Sequence, residues 1–275
     1  MASPPLWKQT TKQKFITRNI ERTQTMPLPS TVLTRANMRA PKGIVYGPPG
    51  VGKTTFGANT SKPIIVDCEN GAAHVDCDRT PYLPDWMSIE EWLTALATTE
   101  HDYGTVVVDS VDWLLRRAEE QVAGVNGSQA GMSQTLNRSH GGYGNGKQVL
   151  RNYIYQYLLP TLDAMVNKGI AVVLLAHATR REITTVDGVT FEKSAPEIHP
   201  DLANAMIEWS DFVGAARIGV DGRELILSET NQLLAKNRYG ISSGLPLSWQ
   251  ALMDAMSGDA NTTTTDPNHE ENTNG

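Results

Sequence analysis

Gly47-Pro48-Pro49-Gly50-Val51-Gly52-Lys53-Thr54 is the segment whose residue types and spacing most directly specify chemistry. Glycines let a backbone curl until its N–H groups converge on one anion, and a helix opening at Lys53 adds the positive end of its dipole. The Lys53 ammonium would reach the outer phosphates of a nucleoside triphosphate, the Thr54 hydroxyl would ligate Mg²⁺, and Thr55 would extend the cradle. The segment follows the apolar strand Gly43–Tyr46 and precedes a helix, which is the setting a phosphate-binding loop (P-loop) requires. ATP and Mg²⁺ are the expected ligands.

Further polar residues stand where apolar runs end. Thr105–Asp109 (TVVVD) is a β-branched strand some fifty residues past the loop, and a carboxylate at its tip, Asp109, can hold Mg²⁺ through water. Ile64–Asp67 is another strand, followed by Cys68 and Glu69. A carboxylate there can act as general base on an attacking water; Asp67 and Glu69 compete for that role, and a plain capping role is open to either. His177 follows the apolar run Ile170–Ala176 (IAVVLLA). It could contact the γ-phosphate and report it to the loop beyond, although capping or core histidines are commoner.

Strands alternating with helices position these residues. Helices are expected from Lys53, over Ser88–Thr98 with Ser88 as cap and Glu91 as its capping-box partner, over Val111–Val122, and over Lys147–Lys168 with a kink at Pro160. The pattern implies a mostly parallel sheet covered on both faces, with every motif at the carboxyl ends of its strands. Phe212–Leu227 reads as a hairpin turning at Asp221-Gly222, and Asn231–Lys236 as a strand. Two polar stretches, Gly124–Gly146 and Thr179–Pro200, read as long loops. The first holds Arg138, His140, Tyr143 and Lys147; the second holds Arg180, Arg181, Phe191 and Lys193. Cations for phosphates and rings for stacking are what a sequence-tolerant single-strand site needs; ordinary surface loops are the alternative.

A chain of 275 residues suits one α/β domain with flexible ends: an arm over 1–40, an ATPase domain over 41–257 and a tail over 258–275. The net charge of −6 hides an asymmetry, because residues 1–42 carry eight basic groups and one acid, Glu21, whereas the tail carries Asp259, Asp266, Glu270 and Glu271. The basic arm suits nucleic acid, a neighbouring subunit, or simple solvation. No apolar run is long enough to span a membrane, no signal-peptide core stands at the start, and Cys68 and Cys77 follow no metal spacing. These features point to reduced thiols in a cytoplasmic protein.

Together, GPPGVGKT at 47–54, VDCENG at 66–71, VVVDSVDWL at 107–115, LLAHATR at 174–180 and AKNRYG at 235–240 resemble the RecA/Rad-like ATPases. More closely, the chain is similar to phage-encoded RecA-like single-strand annealing proteins, often described only as AAA-type ATP-binding proteins. The resemblance covers roughly residues 40–250. It implies a RecA-like P-loop NTPase core: an α/β fold with a mostly parallel central sheet flanked by helices, and a β-hairpin extension near the C-terminal end. It raises Glu69 above Asp67 as the catalytic glutamate and makes Asp109 and Ser110 the Walker B pair. His177 matches the position where bacterial RecA has a glutamine linking γ-phosphate to DNA. Arg138, Lys147, Arg180, Arg181 and Lys193 fall in the two DNA-binding loops. Lys236 and Arg238 resemble a Lys-x-Arg element that RecA-fold helicases insert into a neighbour's ATP site. The implied function is a DNA-stimulated ATPase acting on single-stranded DNA in recombination or annealing. The alternatives are a helicase or translocase motor core, and a nucleotide-gated DNA-binding module with negligible turnover. The implied partners are single-stranded DNA, further copies of the chain in a ring or filament with ATP at the interfaces, and a single-strand-binding protein. If phage-encoded, the protein would work in the host cytoplasm.

Overall fold

The computed structural model describes residues 39–124, 135–184, 187–188, 190–242 and 244–258. The expected basic arm, apart from its last two residues, lies outside them, as do the acidic tail beyond Gly258 and residues 125–134 of the first polar stretch. In chain order the elements are β1 (Lys42–Gly47), α1 (Lys53–Ala58), β2 (Pro63–Asp67), β3 (Asp78–Arg79), α2 (Trp86–Thr98), β4 (Thr105–Asp109), α3 (Val111–Ala123), α4 (Asn145–Tyr153), a π-helical turn (Ile154–Leu158) and α5 (Leu159–Asn167). The chain continues through β5 (Ala171–Thr184), β6 (Thr190–Pro196), α6 (Pro200–Trp209), β7 (Phe212–Gly219), β8 (Gly222–Ile226), β9 (Lys236–Asn237), β10 (Leu245–Pro246) and α7 (Trp249–Ser257).

The main sheet runs β10, β8, β7, β1, β5, β4, β2, β3. From β7 to β3 every pairing is parallel, while β8, β9 and β10 add antiparallel strands at the β7 edge. This is the mixed α/β, mostly parallel core of a P-loop NTPase, with the β7–β8 hairpin as its extension.

Alternation along the strands assigns side chains to two layers. Ile44, Tyr46, Val106, Val108, Val172 and Leu174 face the layer holding α2, α3, α5 and α6. Val45, Val107, Val173 and Leu175 face α1 and α7, where Phe56, Trp249 and Leu252 pack on them. With both faces covered, Val106–Val108 of β4 and Ala171–Ala176 of β5 are apolar throughout, as expected for buried parallel strands. On the second face α1 lies close to the sheet: a Cβ at Gly57 would stand 2.7 Å from a Val107 methyl.

Several expectations are corrected. Asp85, not Ser88, caps α2; its carboxylate accepts from the Ser88 amide, because the helix starts two residues earlier at Trp86. The kink expected at Pro160 is taken up by the π turn just before it, where the missing proline N–H leaves a preceding carbonyl without its usual helical partner. Thr179–Pro200 is largely a β-hairpin rather than a loop, with β5 continuing to Thr184 and pairing with β6. The β7–β8 turn falls at Val220-Asp221, between the paired Gly219 and Gly222, one residue earlier than expected. Asn231–Lys236 is mostly irregular, and only Lys236–Asn237 forms a strand. Its carbonyls at Gln232 and Leu234 are instead tied to the Ser194 amide and the Tyr46 hydroxyl. Among the described residues no helix is long and apolar enough to cross a membrane.

Candidate functional site

β1 delivers the P-loop to the carboxyl edge of the sheet. Gly50 (φ 76°) and Gly52 (φ 105°) take left-handed backbone that a side chain would strain, and Gly52 caps α1. Gly47 has a different requirement, since a Cβ there would stand 2.5 Å from the Ala216 carbonyl oxygen. Lys53 is buried, and its ammonium donates to the carbonyls of Gly47 (2.9 Å) and Pro48 (3.1 Å). Burial lowers its pKa, and the charges of Asp109, Glu69 and Asp112 oppose that shift.

Register sets the rest of the site. Gly47 pairs with His177 on β5, Leu175 pairs with Asp109 on β4, and Asp109 pairs with Asp67 on β2. One sheet edge therefore collects the P-loop, His177, Asp109, Asp67 and Glu69. The Thr54 hydroxyl donates to Asp109 Oδ2 at 2.8 Å. Burial pushes the Asp109 carboxyl up from 3.8 to about 6; the Thr54 hydrogen bond opposes this, Glu69 and Asp67 add to it, and Lys53 opposes it.

Asp67 and Glu69 are held differently. Asp67 Oδ1 accepts from the amides of Glu69 (3.2 Å), Asn70 (2.7 Å) and Gly71 (3.3 Å), and Oδ2 from that of Ala72 (3.4 Å). This carboxylate shapes the turn after β2. Glu69 stands clear of that turn: its Oε2 accepts from the Ser110 hydroxyl at 3.1 Å, and its Oε1 lies 3.6 Å from His177 Nε2. Ser110 sits at the N-cap of α3, yet its side chain makes no capping bond and serves Glu69 instead.

Asp112, in the first turn of α3, was not singled out in the sequence. Its Oδ1 accepts from the His177 amide (3.1 Å) and its Oδ2 faces His177 Nδ1 at 2.8 Å. A carboxylate only accepts, so Nδ1 carries a proton, and Nε2 is the ring atom turned toward Glu69. An acid in a helix's first turn is ordinarily read as a dipole partner, which is why Asp112 carried no signal of its own. Glu197 stands near enough to Asp112 and His177 for three ligand atoms to lie within 4.8 Å of one another, but the Asp112–His177 hydrogen bond accounts for that closeness without an ion.

Past His177, β5 leaves the main sheet and pairs with β6 from Ala178 onward. A cleft of about 900 Å³ opens beside this departure, lined among others by Asp112, Trp113, Arg116, His177, Arg180 and Arg181. Arg180 is exposed and pairs with Glu192 at 3.0 Å. Lys193 does not join the cleft surface; it is buried and paired with Glu229 at 2.6 Å. Arg138 and Lys147 are exposed, and Lys147 stands 3.4 Å from Asp201.

Lys236 and Arg238 depart from the expectation that every motif lies at the carboxyl edge. β9 runs antiparallel to the start of β7, which places them at the amino edge, opposite their own P-loop. The Lys236 ammonium donates to the Ile207, Glu208 and Ser210 carbonyls at the end of α6, using all three of its N–H groups. Arg238 donates to Asp211 Oδ1 (3.2 Å) and the Glu208 carbonyl (2.9 Å) with half its side chain exposed.

The donor set fits the expected ligands. Hydroxyl and carboxylate oxygens on Thr54 and Asp109 suit a hard divalent cation, and the Asp109 charge is buried with one hydroxyl as its partner. The glycine-lined turn, with a lysine and a helix N-terminus behind it, suits phosphate. No curated protein matches the chain. The AAA domain family matches residues 39–239. That span covers well over half of the chain, which therefore belongs to the AAA domain family, a P-loop ATPase group whose members generally hydrolyse ATP.

Proposed function

We propose that this protein hydrolyses ATP at the carboxyl edge of its sheet and uses the ATP state to control single-stranded DNA on the β5–β6 arm, in a RecA-like recombination or annealing role. The observation that carries the reading is the course of β5. Its first half is locked between β1 and β4, His177 stands beside the P-loop at the point of departure, and the same strand runs on to Arg180 and Arg181. A group that senses the γ-phosphate thus sits three residues from a cation of the arm.

Within the ATP site each residue has one task. Lys53 exchanges its two carbonyl partners for phosphate oxygens. Glu69 orients and deprotonates the attacking water, on the side of the loop that Asp67 holds in shape. His177, steadied by Asp112, faces Glu69 and the γ-phosphate side of the P-loop. Thr54 and Asp109 would hold Mg²⁺, which when bound offsets charge on the phosphate oxygens.

The cleft is not uniformly basic: Arg116, Arg180 and Arg181 are set among Glu119, Glu120 and Glu182. DNA contact on this reading is local to the exposed arginine rim, with Trp113 as a ring within reach; Arg116 already stacks over it at 4.9 Å. Assembly through ATP sites belongs to the same reading. Arg238 lies at the edge away from its own P-loop and can meet a phosphate only on another copy.

The test is the rate of ATP hydrolysis with and without single-stranded DNA, run beside an annealing assay. Stimulation together with ATP-dependent annealing is expected. Hydrolysis indifferent to DNA, with no DNA binding in any nucleotide state, would remove the DNA role and leave the ATPase. Unwinding of a forked duplex would favour a motor instead.

A further inference from the structure

The amino edge of the sheet carries a charge cluster that the chain's own ATP site does not use. Asp211, the residue before β7, is buried, and two arginines reach it from distant parts of the sequence. Arg39 donates to Asp211 Oδ1 at 2.8 Å and Arg238 to the same oxygen at 3.2 Å, each with half its side chain exposed. Oδ2 accepts from the Lys42 amide at 3.4 Å. The acid cannot follow a departing partner, because its amide donates to the Lys42 carbonyl (2.7 Å) and its carbonyl accepts from the Arg238 amide (3.0 Å). The backbone around Arg238 is equally fixed. The Asn237 side chain donates to the Leu227 and Ile241 carbonyls and accepts from the Tyr239 and Ile241 amides. What can change partners is the Arg238 side chain.

We propose that Arg39 is a positioning residue for Arg238: it keeps Asp211 neutralised while the Arg238 guanidinium leaves for a phosphate on a neighbouring copy. The inference rests on the reading that Arg238 serves another copy's P-loop, and it adds the group that lets Arg238 leave. A buried carboxylate stripped of its cation is strongly disfavoured, so Arg238 alone on Asp211 would be held there. A second guanidinium on the same oxygen loosens that hold in two ways. It leaves Asp211 paired after Arg238 departs, and before departure the two like charges repel across one acceptor. The bond lengths agree with this division. Arg39 makes the shorter bond and Arg238 the longer one. The other partner of Arg238 is the Glu208 backbone carbonyl at 2.9 Å, an uncharged acceptor that a phosphate outcompetes.

ATP binding and steady-state hydrolysis by the full chain, at concentrations where it assembles, test the role. Arg39→Ala should bind ATP as the wild type does and hydrolyse it about tenfold more slowly, the scale of coupling between residues that share a partner. Arg39→Lys, which keeps the charge, should recover most of the rate. Asp211→Asn in the Arg39→Ala background should also recover it, because an amide holds Arg238 without a charge. Mixing locates the defect independently of how well Asp211→Asn folds. Arg39→Ala subunits keep an intact P-loop, and Lys53→Ala subunits keep Arg39, Asp211 and Arg238. Together they should regain hydrolysis, as Arg238→Ala subunits mixed with Lys53→Ala should. A wild-type rate in Arg39→Ala would overturn the proposal, as would a folded Arg39→Ala/Asp211→Asn protein that stays as slow as Arg39→Ala. Recovery in the Arg238→Ala mixture but not in the Arg39→Ala mixture would make Arg39 a fastening for the start of β1 and leave the trans role of Arg238 standing. Recovery in neither mixture would overturn both.

Discussion

Asp109→Asn should make the nucleotide-free protein more stable while disabling it. Asp109 is 5 % exposed, and burial raises its carboxyl from 3.8 to about 6. A carboxyl whose folded-state pKa lies above its unfolded one binds protons more readily in the fold, so stability falls as pH rises between the two values. At about 1.4 kcal/mol per tenfold, that gap costs the fold about 3 kcal/mol at pH 7.5, roughly half as much at pH 5, and almost nothing below pH 3.5. Asparagine removes the charge and keeps an oxygen for the Thr54 hydroxyl. Without metal at pH 7.5, the variant should therefore melt roughly 6–12 °C higher, at about 2–4 °C per kcal/mol for a domain of this size. Thermal and urea melts in chelator, repeated from pH 5 to 8, make the measurement. The advantage should shrink toward pH 5. Excess Mg·ATP should erase or reverse it, because wild type gains binding energy that the variant cannot. A variant no more stable than wild type at pH 7.5, or one whose advantage does not depend on pH, would refute the claim that Asp109 is an uncompensated buried charge.

Other perturbations address the remaining roles. Glu69→Gln should bind ATP normally and lose about 10²-fold or more in turnover, whereas Asp67→Asn should mainly destabilise the turn after β2; a larger loss of rate at intact stability in Asp67→Asn would exchange the two assignments. Asp112→Asn should turn an amide N–H toward His177 Nδ1 and so change which ring nitrogen carries a proton, visible in the ring ¹⁵N shifts, and slow hydrolysis on the order of tenfold; unchanged ring shifts would mean that Asp112 does not set the proton's place. Replacing Arg180 and Arg181 together by Ala should weaken single-strand binding and reduce the magnitude of its salt slope by about 1.4, two phosphates' worth. An unaltered slope would transfer the contact elsewhere on the chain. Arg238→Ala and Lys53→Ala, each nearly inactive alone, should recover partial hydrolysis when mixed, since some interfaces then join an intact P-loop to an intact Arg238; mixed assemblies with no recovery at any ratio would confine Arg238 to its bonds with Asp211 and Glu208.

The parts of this molecule that were legible in its sequence are those with a local cause. Gly50 and Gly52 announce backbone that other residues avoid, and the apolar runs of β4 and β5 announce strands covered on both sides. The β5–β6 arm gave no such signal. Once β5 leaves the main sheet, Thr179–Glu182 alternates between half-buried and exposed positions, and charged residues follow one another without a period. A strand held by one partner, with no core to face, reads as a loop. Lys236 was misplaced for a similar reason, because the pairing of β9 with the start of β7 is a long-range event that spacing from the P-loop does not encode. Asp112 becomes meaningful only when register sets β5 beside β4 and so carries His177 over the first turn of α3.

The distribution of hydrogen-bond donors at the carboxyl edge also bears on where a cation would sit. Four carboxylates meet there, Asp67, Glu69, Asp109 and Asp112, and the fold treats each differently. Asp67 receives four backbone amides, and Asp112 receives both the amide and the ring N–H of His177. Glu69 receives the Ser110 hydroxyl and remains partly open to solvent. Asp109 is the most desolvated of the two that lack a full set of donors: it has the Thr54 hydroxyl and little water. The one ammonium nearby is tied to carbonyls of the P-loop and is itself weakened by burial. A compact divalent cation between Thr54 and Asp109 would supply the missing positive charge without disturbing any hydrogen bond that Asp67 or Asp112 makes. Conversely, a metal drawn to Asp67 would have to displace amides that hold the turn carrying Glu69. The hydrogen bonds on the other acids would thus direct a cation to Asp109 and leave Glu69 open to water.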